Sequence, residues 1–184
     1  MFWDNYVAKA LRTESNSNPF SQEFIEKDII DIRFLHGVLG LIGEFGEVKK
    51  SLVGDDVTKI TLEIGDMFWY LALLSKSSDK SIAIECDVNP THIPYASNVS
   101  YLLNLIEELL YELSENCKKA IFYEKKLNSD KNNYILTSLY SLLVNLCLTQ
   151  SIDVKLVLIT NITKLENRFP DKFNTNDAIN KNIQ

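Results

Sequence analysis

Hydrophobic side chains recur along this chain at the three- and four-residue spacing of amphipathic helices, and no stretch shows the strict alternation of a β-strand. This pattern predicts six helices, near residues 2–12, 21–53, 56–77, 97–128, 131–149 and 151–167. The segment at 60–74 is apolar on nearly every side, which is typical of a buried helix. We therefore expect an all-α fold, built as a helical bundle.

Two prolines and several turn-forming polar residues divide the chain almost in two. We predict an N-terminal half at 1–86, a connection at 87–96, a C-terminal half at 97–170 and a loosely held polar tail at 171–184, all within one compact domain. The two halves resemble each other faintly, since each pairs one amphipathic helix with a strongly apolar one. This similarity is either a true duplication or generic helix similarity.

Composition and charge exclude several classes of protein. The 6 glycines and 4 prolines supply too few turns for a β-sandwich or barrel, and the hydrophobic share of 46% is enough for a core. A net charge of −6 argues against binding of nucleic-acid polymers, because a phosphate-tracking surface needs excess lysine and arginine. Cys86, Cys117 and Cys147 lie far apart without a CxxC pair, so we interpret them as core residues of a protein from a reducing compartment.

The sequence also predicts a cytoplasmic location without a membrane partner. Its start contains an early acid, Asp4, and lacks the apolar core of a signal peptide. The longest apolar runs, at 67–74 and 134–148, are too short or too interrupted by polar residues to cross a bilayer. The composition, rich in asparagine, lysine and isoleucine, hints at an AT-rich genome, so the location would be a host cytoplasm if the gene is phage-encoded.

The glycines are concentrated in one region rather than spread over turns. All six lie between Gly37 and Gly65, and four of them recur every third residue within the second predicted helix: Gly37, Gly40, Gly43 and Gly46. A glycine inside a helix destabilises it by about 1 kcal/mol relative to alanine, so this run needs a compensating reason. Either another helix packs closely against the bare backbone, or a ligand or metal lies beside it.

Two pairs of acidic residues stand three positions apart on consecutive predicted helices. Glu44 and Glu47 lie on one helix, and Glu63 and Asp66 lie on the next. Residues three apart share a helix face, so two adjacent antiparallel helices can place four carboxylates in one cleft. Because the helix that carries Glu63 and Asp66 is apolar almost all round, its acids are expected to face inward, where they need partners. Oxygen-only ligands favour Mg²⁺ or Mn²⁺ over Zn²⁺.

These acids and their surroundings resemble the MazG-like all-α nucleoside triphosphate pyrophosphohydrolases, a superfamily that includes the dimeric dUTPases. The family pattern is ExxE, a spacer and then ExxD, which this chain matches at 44–47 and 63–66. The segments HGVLGLIGEFGEV at 36–48, GDMFWYLA at 65–72 and NITKLENRFP at 161–170 are also similar to family segments. The resemblance implies a helical bundle of the same type.

The order of the motifs departs from that of the family. The segment KKAIFY at 118–123 is similar to one that the family places between its two acidic motifs, yet here it follows the proline-containing connection. The Asn-Lys-Arg segment at 161–170 follows the connection as well. We interpret this order as a fused pseudo-dimer, in which the first half supplies the acids and the second half supplies cationic and substrate-contacting groups.

The resemblance implies Mg²⁺-dependent hydrolysis of an NTP or dNTP between its α and β phosphates, giving a nucleoside monophosphate and pyrophosphate. It implies that Glu44, Glu47, Glu63 and Asp66 bind Mg²⁺ or Mn²⁺, with Glu47 or Glu44 as the catalytic carboxylate. The residues that it suggests for substrate binding are Lys118, Lys119, Tyr123, Asn161, Lys164, Arg168, His36 and Trp69. For each of these the alternative is a structural role, as a surface charge, a helix cap or a core aromatic.

Two other functions stay open from the sequence. One is a non-catalytic protein that binds or sequesters nucleotides on the same fold, and the other is a helical interaction module with acids as surface decoration. The preferred base and sugar depend on pocket shape, which motifs do not encode. The chain is either a monomer, with its fused halves sufficient alone, or a homodimer.

Overall fold

The computed structural model describes residues 2–14, 31–77 and 98–170. Over these residues the chain is 84% helical and forms six helices without any strand, so the predicted all-α bundle is confirmed there. The helices are α1 (Phe2–Leu11), α2 (Ile32–Val53), α3 (Val57–Ser75), α4 (Val99–Tyr123), α5 (Ser129–Thr149) and α6 (Val154–Arg168). The predicted connection at 87–96, the tail at 171–184 and Cys86 lie outside the described residues.

Side-chain caps determine where five of these helices begin. Asp31, Asp56, Asn98, Asn128 and Asp153 each accept a hydrogen bond from a backbone N–H two or three residues further on. The last four starts lie within three residues of the predicted positions. The predicted start near residue 21 lies outside the described residues.

The predicted end of the fourth helix near residue 128 is wrong, because α4 ends at Tyr123. Glu124 adopts the left-handed conformation, with a φ of 50°, and its backbone N–H bonds to the carbonyl oxygen of Lys119. Asn128 already caps the next helix. Residues 124–128 therefore form the connection between α4 and α5, which pack against each other.

One apolar cluster joins residues from all six helices, and α3 contributes fully buried side chains along much of its length. This helix packs against α1, α2, α5 and α6, which confirms that the apolar segment is a buried helix. Burial of a side chain such as Phe68 or Leu71 stabilises the fold by about 1.5–3 kcal/mol. Cys117 and Cys147 are buried as predicted, and burial raises the pKa of each thiol to about 12.

The glycines of α2 have two different surroundings. A Cβ at Gly37 would lie 2.5 Å from Leu74 Cγ, and one at Gly40 would lie 2.0 Å from Tyr70 Cε1. Close packing of α2 on α3 therefore explains these two. Among the described residues, a Cβ at Gly43 or Gly46 would meet no atom within 4 Å, so packing of the described helices explains neither of them.

Within the described part of the chain, no single helix has the length and hydropathy of a membrane span. The pair α5 and α6 meets that criterion only when the two are taken together, and the angle between them is 105°. Much of α5 is buried inside the bundle.

Candidate active site

Three of the four predicted carboxylates converge between α2 and α3. Glu44, Glu63 and Asp66 each place one carboxylate oxygen within 4.8 Å of those of the other two, and all three side chains are partly buried. The short loop at 54–56 folds α3 back on α2, so the acid-bearing faces of the two helices meet. We call these three residues the acid cluster.

Burial and mutual repulsion both act on the acid cluster. The pKa of Glu44 is raised to about 7, first by burial, which removes hydration from its carboxylate, and then by the negative charges of Asp66 and Glu63. Burial also raises the pKa of Glu63, and repulsion from Asp66 adds to it. The acid cluster therefore favours any partner that neutralises it, either a proton or a cation.

Glu47, the fourth predicted acid, lies outside the acid cluster. Its carboxylate forms an ion pair of 2.7 Å with Lys50, one turn further along α2, and its side chain is 42% exposed. The bond to Lys50 lowers the pKa of Glu47 below its usual value. Its role as a metal ligand or catalytic carboxylate stays a prediction.

Two polar residues of α6 reach the acid cluster from the other half of the chain. Lys164 Nζ donates to both carboxylate oxygens of Asp66. Asn161 Nδ2 donates to Asp66 Oδ1 at 2.8 Å, although the two residues are 95 positions apart in sequence. The structure thus brings together acids from the first half and polar groups from the second.

A cleft of about 240 Å³ opens beside the acid cluster. Glu44, Asp66 and Lys164 form part of its lining. The remaining lining residues are Thr13, His36, Trp69, Tyr70, Leu165, Arg168 and Phe169. The cleft therefore combines charged groups with aromatic and apolar walls, which suits a ligand that has both an ionic part and a flat ring.

Packing and hydrogen bonds hold the aromatic walls. The His36 ring lies edge-on to Trp69 and Tyr70, with centroid distances of 6.0 and 5.6 Å. Trp69 Nε1 donates to Thr13 Oγ1 at 3.0 Å and to the Ala10 carbonyl oxygen at 3.1 Å. Burial lowers the pKa of His36, so its imidazole is neutral near pH 7.

Four of the eight residues suggested for substrate binding do not line this cleft. One of them, Asn161, is only 1% exposed and donates to Asp66 instead. Lys118 and Lys119 lie on the exposed surface of α4, where both pair with Glu115. Tyr123 ends that helix and is 69% exposed. His36, Trp69, Lys164 and Arg168 do line the cleft, and their contact with a substrate stays a prediction.

Three hydroxyl-bearing residues at the site were not predicted from the sequence, namely Tyr6, Thr13 and Tyr70, and neither were the apolar lining residues Leu165 and Phe169. Tyr70 lies four positions after Asp66 on α3, so its helix spacing could have indicated that it shares the face of the acids. Its pKa is raised to about 12 by burial and by the nearby Glu44 and Asp66, so its hydroxyl stays protonated. Tyr6 and Thr13 arrive from the first helix and its end, and no local spacing relates them to the acid cluster.

Known proteins give no relative from which the role of these residues can be transferred. No family model, no curated protein and no solved structure matches the chain. The chemistry of the site and the sequence motifs around it are therefore the basis for proposing its function.

Proposed function

We propose that this chain is a nucleoside triphosphate pyrophosphohydrolase of the MazG-like type, which cleaves an NTP or dNTP between its α and β phosphates. The observation that carries the proposal is the position of the acid cluster and Lys164 at a cleft with aromatic walls. Carboxylates suit a divalent cation, a lysine suits phosphate oxygens and aromatic rings suit a base. A triphosphate nucleotide presents all three groups.

Glu44, Glu63 and Asp66 are the residues that would hold Mg²⁺ or Mn²⁺. Their chemistry fits the ion, because three partly buried carboxylate oxygens lie close together and repel one another. A bound ion would neutralise the triphosphate and lower the pKa of an attacking water. Glu47, which lies one turn along α2 from Glu44 and is half-exposed, would orient that water after release from Lys50.

The remaining roles belong to side chains of the cleft. Lys164 and Arg168 are four positions apart on α6, so they share one helix face and can approach adjacent phosphate groups. Arginine adds a two-pronged donor that matches phosphate oxygens. Neutral His36 offers one hydrogen-bond donor and one acceptor beside Trp69, a combination that suits the edge of a nucleobase.

We also propose the fused pseudo-dimer, with a single site per chain. Its support is that α6, from the second half, delivers Asn161 and Lys164 to acids of the first half. At the positions that correspond to three of the four acids, the second half carries Tyr111, Thr137 and Tyr140. The second half therefore lacks a carboxylate set of its own.

The proposed function predicts release of pyrophosphate and a nucleoside monophosphate from at least one of a panel of NTPs and dNTPs with Mg²⁺. In Glu63→Gln, which removes one negative ligand, we expect this rate to fall at least about 100-fold. Ion-exchange separation of the products measures both compounds. The matched control is Glu107→Gln, which removes an acid that pairs with Lys49 outside the cleft.

Pyrophosphate release at the same rate from wild type and Glu63→Gln would contradict the proposed site. Absence of release from every nucleotide of the panel would contradict the proposed activity itself. Circular dichroism of each variant confirms that the helices are intact before the rates are compared.

A second candidate function is nucleotide binding without catalysis. It is favoured by the contact of Lys164 with both oxygens of Asp66, because this internal ammonium already neutralises part of the acid cluster. Under this alternative, equilibrium dialysis finds bound nucleotide that is recovered unchanged, and Mg²⁺ does not lead to hydrolysis.

A further inference from the structure

The buried hydroxyl of Tyr6 begins a hydrogen-bonded path that ends on the acid cluster. Tyr6 lies on α1 and is 3% exposed. Its hydroxyl donates to Asn161 Oδ1 at 2.9 Å, and Asn161 Nδ2 donates to Asp66 Oδ1 at 2.8 Å. The path connects α1, α6 and α3 inside the core.

The chemistry of these three groups allows the path only one direction. Both carboxylate oxygens of Asp66 accept hydrogen bonds from Lys164, so the amide NH₂ of Asn161, and not its oxygen, faces Asp66. The amide oxygen then faces away from Asp66 and, being buried, needs a donor of its own. The phenolic O–H of Tyr6 is that donor.

Packing holds the three groups in this arrangement. Asn161 is 1% exposed, and a Cβ at Gly65 would lie only 3.0 Å from Asn161 Cβ, so the missing side chain at Gly65 admits the amide between α3 and α6. The ring of Tyr6 stacks on Trp3 at a centroid distance of 5.3 Å. Its hydroxyl also lies 3.3 Å from the carbonyl oxygen of Gly65.

Loss of the Tyr6 hydroxyl weakens the hold on the Asn161 amide. The buried oxygen of Asn161 is then left without its donor, so the amide is fixed less firmly in this orientation. A less firmly fixed amide weakens its hydrogen bond to Asp66. Asp66 keeps its contact with Lys164, but its carboxylate is oriented by one hydrogen-bonding side chain fewer.

We propose that Tyr6 is a positioning residue, which acts through Asn161 to hold the Asp66 carboxylate in the orientation that binds a divalent cation with Glu44 and Glu63. This inference rests on the proposed function for the cation, and it adds the N-terminal helix to the site. Hydrogen-bond partners of metal ligands typically contribute 10- to 100-fold to metal affinity.

The test is the affinity of the full chain for Mn²⁺, measured from the electron paramagnetic resonance signal of the free ion. Tyr6→Phe removes the hydroxyl and keeps the stacked ring, and we expect it to weaken Mn²⁺ binding about tenfold or more. The matched control is Tyr140→Phe. It removes a hydroxyl from the same aromatic cluster, where Tyr140 contacts Trp3 at 5.1 Å and Phe68 at 5.5 Å. We expect its Mn²⁺ affinity to stay within about twofold of wild type.

A double variant distinguishes positioning from general loosening of the core. Asn161→Ala breaks the path in its middle, so we expect it to weaken Mn²⁺ binding at least as much as Tyr6→Phe. Because Tyr6 acts only through Asn161, Tyr6→Phe adds no further loss in the Asn161→Ala background. Two independent structural defects would multiply their effects instead.

Wild-type Mn²⁺ affinity in Tyr6→Phe, with binding abolished in Glu63→Gln, overturns this inference and leaves the proposed function intact. Multiplied losses in the double variant overturn it as well. Absence of Mn²⁺ binding in the wild type overturns both the cation site and this inference. A tenfold loss in Tyr6→Phe supports the inference even if no nucleotide is hydrolysed, because the readout is Mn²⁺ affinity alone.

Discussion

Glu44 is the residue where burial and like charge act most strongly together. Its pKa of about 7 compares with an ordinary value of 4.5, so near pH 7 about half of the cation-free molecules carry a proton there. The folded state therefore binds this proton more tightly than the unfolded state between those two values. Stability from this residue is complete below pH 4.5 and is lost as the pH rises through 7.

This linkage predicts that the cation-free protein loses thermal stability between pH 5 and pH 7 in EDTA, and that Glu44→Gln loses less. The glutamine keeps the shape of the side chain but has no proton to release. Thermal melts followed by circular dichroism at pH 5, 6 and 7 measure the difference. The same slope of melting temperature against pH in both proteins would contradict the prediction.

Some residues of the candidate site could be predicted from the sequence, and others could not. Glu44 and Glu63 could be predicted because helix spacing brings them to facing surfaces. Glu47 shares that spacing, yet its carboxylate pairs with Lys50, one turn further along α2, and lies outside the acid cluster. Tyr6 could not be predicted, because its contact with Asn161 spans 155 positions and has no local pattern.

The contact between α2 and α3 depends on glycine at some positions and not at others. At Gly40 a methyl group would lie inside the Tyr70 ring, which His36 and Trp69 hold on its other sides. At Gly43 a methyl group would meet no atom of the described part of the chain within 4 Å. Both positions are helical, so the backbone itself accepts alanine at either of them.

We expect Gly40→Ala to destabilise the protein by about 1–3 kcal/mol, because overpacking displaces the Tyr70 ring. Gly43→Ala is its matched control and should stabilise the protein by about 0.5–1 kcal/mol, through the higher helix propensity of alanine. Urea unfolding followed by circular dichroism measures both free energies of unfolding. Equal changes in the free energy of unfolding for the two substitutions would contradict the close approach of Tyr70 to Gly40.

The starts of helices could be predicted where the sequence contains a residue type that favours the N-cap. Asp56 and Asn128 are residue types that favour the N-cap, so α3 and α5 begin close to the expected positions. The end of α4 was not predictable, because Glu124 adopts the left-handed conformation without the glycine that usually signals it.

Across the whole molecule, the ion pair of Lys164 with Asp66 links the two halves through opposite charges. Both side chains are partly buried, with 33% and 23% of their surface exposed. Partial burial keeps solvent screening low, so this pair contributes more than an exposed pair does. The motif order already indicated that the second half supplies the positive charge, and the fold shows that Lys164 places it on Asp66.

We predict that Lys164→Gln lowers the melting temperature in EDTA by about 2–4 °C, which corresponds to about 1 kcal/mol. The acid cluster then lacks its internal counter-charge, so Mg²⁺ should raise the melting temperature of this variant more than that of wild type. The matched control is Lys119→Gln, which removes an exposed charge that pairs with Glu115 on α4. A smaller Mg²⁺ effect in Lys164→Gln than in wild type would contradict this prediction.

The separation of Lys164 from Asp66 along the chain has a consequence for the order of events during synthesis. The two residues are 98 positions apart, so all three acids of the acid cluster emerge from the ribosome well before Lys164 does. Until α6 emerges, the α2–α3 hairpin carries three repelling acids without this counter-charge. The nascent hairpin therefore lacks the charge balance of the mature site, and docking of α6 onto α3 is the step that completes it.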